Sequence, residues 1–268
     1  MLYFRRRVQL SLGISCREIT NSVLAVVGSV EELSTSTATQ DLVRSQFEIV
    51  FFSQVNFIKA TLPLLREKHT GHIIILTNIT GHIATPGMSM FSAAVWALEG
   101  YCDSLAYEIA PFNIKLSIVQ PNKEISVLTN KITFAPLMPE YDSQNNPAPG
   151  LRDILTNVVN MHPDTRITEK EKARNKIVSR YPLLPGDARD KLVMETVHAL
   201  TAIGGHENPP ARHIVGYEGV ASVKEKLKTV SEELEDFVEV SCAVDIFKGS
   251  DVGAAALAGP KVGPQLDS

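Results

Sequence analysis

The chain has 268 residues, 44% hydrophobic and 21% charged, with a formal net charge of -4; this is ordinary globular composition, enough for one large domain or two small ones, and it excludes collagen, coiled coil and wholesale disorder. No uninterrupted apolar run reaches the roughly 20 residues of a membrane-spanning helix, and a negative chain whose one basic cluster is Arg5-Arg6-Arg7 lacks the positive field that holds a phosphate backbone. A soluble protein with neither membrane nor nucleic acid as partner is expected. Cys16, Cys102 and Cys242 are too few and too scattered for a disulfide framework or a zinc site, which suits a reducing compartment such as the cytoplasm.

Residues 1–19 form a basic N-terminal segment, with Arg5, Arg6, Arg7 and Arg17 against the single acid Glu18. A mitochondrial transit peptide and a cytoplasmic start both fit it. Within it Val8, Leu10, Leu12 and Ile14 alternate with Gln9, Ser11, Gly13 and Ser15, a period of two that predicts a strand. Val23 to Val27 is an all-apolar run expected to be a strand buried on both faces, ended by Gly28. From Asp41 to Lys68 the apolar residues recur at helical spacing, with a kink expected at Pro63. His72-Ile73-Ile74-Ile75-Leu76 after Gly71 predicts a second buried strand, Thr77 to Gly87 a loop, and Ser89 to Ala110 a helix stopped by Pro111. Ile114 to Val119 predicts a third strand.

Strand, helix, strand, helix, strand in that order requires parallel pairing, so the expected fold is α/β with a doubly wound parallel sheet. Residues 120–190 lose this rhythm. Pro136, Pro139, Pro147 and Pro149 lie among Asn and Asp, and the run from Ile167 to Ile177 carries six charges, read as a solvated helix face. Lys191 to Ile203 predicts a further helix, Arg212 to Val215 a short strand, and Val220 to Phe237 a closing helix. Residues 238–268 are expected to be a tail, partly disordered, with Gly, Ala and Pro frequent after Lys248.

GHIIILTNITGHIATPGMSMFSAAVWALEG at Gly71 to Gly100 resembles the middle of a short-chain dehydrogenase/reductase. GSVEELS at Gly28 to Ser34, ATLPLLREK at Ala60 to Lys68 and IVQP at Ile118 to Pro121 resemble the same family in the same order. The resemblance spans residues 20–237, read as one domain, and implies a Rossmann-like sheet and hydride transfer with NADP or NAD. In that family a Ser ends the central strand, a Tyr follows thirteen residues on and a Lys four after that. The i, i+4 spacing puts ammonium beside phenol so that the phenol can pass a proton. These positions fall on Asn78, Phe91 and Val95. The family's upstream catalytic Asn falls on Val50, and its Asn-Asn-Ala-Gly segment on Thr20-Asn21-Ser22-Val23. The glycine-rich turn that admits a pyrophosphate has no counterpart, since only Gly13 and Gly28 precede Gly71. The first strand-helix units are thus expected to be missing and the sheet incomplete. At the nicotinamide end the family positions are Pro121 and Asn122, with Ser126 where a phosphate-facing Thr often stands.

His69, His72 and His82 lie on a helix end, a strand start and a loop, so they are read as surface residues and no metal site is expected. His82 follows the central strand and is also weighed as a replacement acid. Phe91, Val95 and Trp96 are read as core. Two functions follow from the resemblance: an oxidoreductase weak or inactive as this chain, or a non-catalytic relative that pairs as homo- or hetero-oligomer through helices 41–68 and 89–110. The first strands being absent, the segment 8–15 is expected to cover the open edge beside 22–27.

Overall fold

The computed structural model describes residues 17–20, 25–121, 132–141, 177–180 and 186–243. The segment 8–15, Asn122, Ser126, the charged run up to Lys176 and everything beyond Ala243 lie outside the described residues. The chain divides into two compact units, Met1–Lys224 and Glu225–Ser268.

The larger sheet joins β1 (Arg17–Thr20), β3 (Gly71–Leu76), β4 (Ile114–Pro121) and β7 (Arg212–Val215) in the order β1-β3-β4-β7, every pair parallel. A smaller sheet holds β2 (Ala25–Val27) parallel to β5 (Ile132–Phe134), which runs antiparallel to β6 (Val178–Arg180). The valine-rich run was expected in the main sheet; instead Arg17–Thr20 takes the place beside β3, and Ala25–Val27 pairs in the second sheet. An apolar triplet needs burial rather than a particular sheet, and β2 finds it between two clusters: Ala25 and Val27 with Phe91 and Val95, Val26 with Leu33 and Ala135. On its other side the Val26 N–H donates to Gln46 Oε1 at 2.9 Å, so the strand edge ends on a side-chain amide.

Helices cover both faces of the main sheet. Residues 37–68 form α1 (Thr37–Phe47), a π-helical turn (Glu48–Phe52) and α2 (Ser53–Lys68). Ser36 caps α1 reciprocally with Thr39. Pro63 does not interrupt the helix, since α2 runs through it; Pro63 and Lys59 are exposed, so the carbonyl left without a donor lies on the solvent side. The irregularity lies upstream, in the π-turn. On one face Ile73, Ile75 and Ile118 pack with Ile58 and Leu65 of α2 and with Leu98, Cys102 and Leu105 of α3 (Ser89–Ile109). On the opposite face Ile74 and Val119 meet Ile203 of α4 (Gly186–Gly205). Alternate isoleucines of one strand thus serve two layers, as in a doubly wound sheet. Full burial of each such side chain is worth about 1.5–3 kcal/mol.

Glu32 is buried at the turn after β2, where its carboxylate accepts from Ser29 N at 2.8 Å and Met138 N at 3.0 Å. It therefore ties the Gly28–Ser34 segment to the chain after β5. Helix α5 (Tyr217–Asp236) follows β7, and α6 (Val238–Cys242) makes the beginning of the expected tail helical.

Candidate functional site

Ligands in open parallel sheets bind beyond the carboxyl ends of the strands. Here that end of β3 leads into Thr77, whose N–H donates to Val119 O at 3.0 Å, and then Asn78. Asn78 caps a short 3-10 turn (Ile79–Gly81): its Oδ1 accepts from Thr80 N at 3.1 Å and from the Thr80 hydroxyl. Gly81 sits against α3 so closely that a Cβ there would collide with the Glu99 carboxylate. The glycine is required by that approach.

The structure brings together three of the four positions that the resemblance assigns to the family's catalytic residues. Val50 on the π-turn, Phe91 and Val95 on α3 are 5%, 1% and 2% exposed and share one apolar cluster with Ala25, Val27, Met88, Ala94 and Ile132. Asn78 is buried outside that cluster, its carbonyl oxygen occupied by Thr80. Pro121 is the buried last residue of β4, paired with Val215.

Two expectations are corrected. Trp96 is not core: it is 52% exposed, and its Nε1–H donates to Thr80 O at 2.6 Å, because one step from Val95 turns the side chain off the buried face. His72 is not on the surface: it is buried, with Nε2 3.0 Å from Ser117 Oγ. The Ser117 hydroxyl donates to Pro210 O at 2.7 Å, which leaves its oxygen to accept from His72. His69 is exposed in left-handed conformation at the end of α2, and His82 is half-buried after the 3-10 turn, so the three rings occupy separate places.

Sequence reading missed Glu99. It is 3% exposed on the apolar face of α3, one turn after Val95. Its Oε1 accepts from Thr77 Oγ1 at 2.9 Å and Gln120 Nε2 at 2.7 Å, and its Oε2 lies 3.4 Å from Arg212 Nε. Gln120 Oε1 in turn stands 3.0 Å from His82 Nε2; since the Gln120 amide nitrogen donates to Glu99, its oxygen accepts from the imidazole. Arg212 also pairs with Asp103 at 2.7 Å, and that hydrogen bond raises the guanidinium's pKa above its ordinary value against partial desolvation. The available signal was a carboxylate at a position the helical period assigns to the core.

The same network bears on the Cys102 thiol, which burial first, then Glu99 and Asp103, push up to about 12. In the native protein at neutral pH iodoacetamide is expected to leave Cys102 unmodified while the exposed Cys242 is alkylated. Peptide mass mapping reads both. Equal labelling in the folded state would contradict the burial.

Residues 20–132 match the family model described as short chain dehydrogenase. A 3-ketodihydrosphingosine reductase of Bacteroides thetaiotaomicron is 36% identical over 122 residues, covering 42% of this chain and 44% of the relative. Human retinol dehydrogenase 8 is 28% identical over 123 residues, 46% of this chain and 38% of that one. The chain spans less than half the length of these curated relatives. Among solved structures a short-chain dehydrogenase from Streptomyces avermitilis superposes with TM-score 0.60 at 23% identity, over 85% of this chain and 71% of that one, which establishes the Rossmann-like fold. With the ordered motifs from Gly28 to Pro121 and the parallel order β1-β3-β4-β7, these matches make residues 20–132 similar to the short-chain dehydrogenases and give the chain their Rossmann-like fold.

Proposed function

We propose that this oxidoreductase-family chain does not itself transfer hydride by the family's chemistry, and that it acts as a non-catalytic relative through pairing with another chain. The observation that carries the reading is the apolar cluster around Phe91, Val95 and Val50. A phenol, an ammonium and an amide at these positions would share a proton path; a phenyl ring and two isopropyl groups hold no proton to move.

NADP or NAD is the cofactor the family implies. The residues present do not fit it. Before Gly71 the sequence holds only Gly13 and Gly28, no glycine-rich segment to offer backbone N–H groups to a pyrophosphate, and the apolar cluster offers no side-chain donor to a nicotinamide amide or ribose. Calorimetric titration with NADH and NADPH is expected to give no heat of binding, and a micromolar dissociation constant for either would overturn the reading.

The double variant Phe91→Tyr, Val95→Lys supplies a further check. It is expected to show no hydride transfer on a panel of ketones and secondary alcohols, and to unfold at lower denaturant than the wild type, because it buries a hydroxyl and an ammonium without partners. Clear turnover would mean that a dinucleotide site survives.

The pairing half of the reading rests on exposed apolar side chains in the helical segments 41–68 and 89–110: Phe52, Phe57 and Leu64 on the first, Trp96 and Tyr107 on the second, between 44% and 84% exposed. Sedimentation of Phe57→Glu, Leu64→Glu against wild type tests it. Unchanged association would remove these helices as the pairing surface.

A further inference from the structure

Helix α5 carries an apolar stripe that the family site does not use. Leu227, Val230 and Leu234 on α5 and Phe237 just beyond it fall at steps of three, four and three. They are 59%, 36%, 66% and 62% exposed, within a stretch from Lys224 to Ala243 where every residue is exposed. Between them stand Lys228, Thr229, Ser231, Glu232, Glu233, Glu235 and Asp236, so one seam is apolar and the rest polar.

The charges on this helix are segregated. Lys224, Lys226 and Lys228 lie in its middle, with Glu225 the one exception, whereas Glu232, Glu233, Glu235 and Asp236 crowd its carboxyl end. A lone helix is stabilised by acids at its amino end and bases at its carboxyl end. The amino end has its acid, Glu218, but the last turn contains no base and the final residues are acidic, contrary to what the carboxyl end of an isolated helix favours. The same arrangement suits two such helices side by side in opposite directions. The lysines of each then run beside the carboxylates of the other, and the two macrodipoles oppose. A parallel pair would set like charges level with one another.

We propose that α5 is a homotypic docking helix, binding the α5 of a second copy of this chain antiparallel along Leu227, Val230, Leu234 and Phe237. An anionic lipid surface is disfavoured as the occupant because the residues from Lys224 to Glu239 carry more carboxylates than ammonium groups. The surface is distinct from helices 41–68 and 89–110, so the proposal stands whether or not those pair.

Sedimentation equilibrium of the full chain tests it. Wild type is expected to associate in the micromolar range, more weakly at high salt. Leu227→Glu with Leu234→Glu is expected to weaken association at least about tenfold while far-UV circular dichroism keeps its helical signal. Two charge-reversed chains give the decisive arm: one with Lys224, Lys226 and Lys228 all changed to Glu, the other with Glu232, Glu233 and Glu235 all changed to Lys. Each alone is expected to associate about tenfold less than wild type, and their mixture is expected to regain it as a heterodimer. The proposal is overturned by a wild type that stays monomeric, by association that survives the leucine changes and is lost only with Phe57→Glu, Leu64→Glu, by charge-reversed chains that do not recover on mixing, or by binding to phosphatidylserine vesicles that the leucine changes abolish.

Discussion

Phe91→Ala is expected to destabilise the protein by about 3–5 kcal/mol, the largest effect of any single truncation in the family motif region. Phe91 is 1% exposed and leads the fully buried side chains by volume among the described residues. It packs where α3, β2 and the π-turn meet, so its loss opens a cavity lined by three elements that cannot all close on it. Against a total stability of roughly 5–15 kcal/mol for a domain, that is at least about a fifth of what holds the fold. Urea denaturation followed by circular dichroism reads it as a lower midpoint at unchanged slope. A shift below about 1 kcal/mol would mean that the cluster is not close-packed.

Glu99→Leu is expected to cost about 3 kcal/mol even though leucine is the more hydrophobic residue, because it leaves the Gln120 amide and the Thr77 hydroxyl without their acceptor and takes one of two carboxylates from Arg212. Arg212 keeps Asp103 and is partly solvated, which places the cost at the low end for a broken buried pair. Glu99→Gln, which retains an acceptor oxygen, is expected to lose about 1–2 kcal/mol. The order wild type, Gln, Leu in urea midpoint is the result to look for. A leucine variant as stable as wild type would show that the network contributes nothing net.

How much of this was legible in the sequence varies by element. The run His72 to Leu76 and the helix from Ser89 announce themselves because long periodic or mainly apolar segments have one economical placement. Arg17–Thr20 does not, since REIT shows neither alternation nor an apolar run and is a strand through its pairing with β3. The π-turn was hidden for a different reason. Gln46, Val50, Gln54 and Ile58 are buried at steps of four, which in an ideal helix drift about 120° around the axis over three steps; the wider π-turn absorbs the drift. Two of those four are glutamines, so an apolar count passes over them. At the site, the assignment of the family's Tyr and Lys positions to Phe91 and Val95 is what the resemblance implies, and it needs no backbone. That Val50 joins them in one cluster, while Asn78 turns to cap Thr80, needed the backbone.

The pairing of β4 with β7 has a consequence for how the chain is made. Ile118 lies opposite Arg212, and Arg212 reaches back to Glu99 and Asp103 on α3, so residues 122–211 must leave the ribosome before this edge can close. At about 5–20 residues per second that takes on the order of ten seconds. Throughout that interval β4 presents a free edge of backbone donors and acceptors beside the wholly apolar Ile118-Val119 pair, each essentially inaccessible in the finished fold. Until β7 is made, β4 therefore keeps an open edge of the kind that pairs readily with other chains.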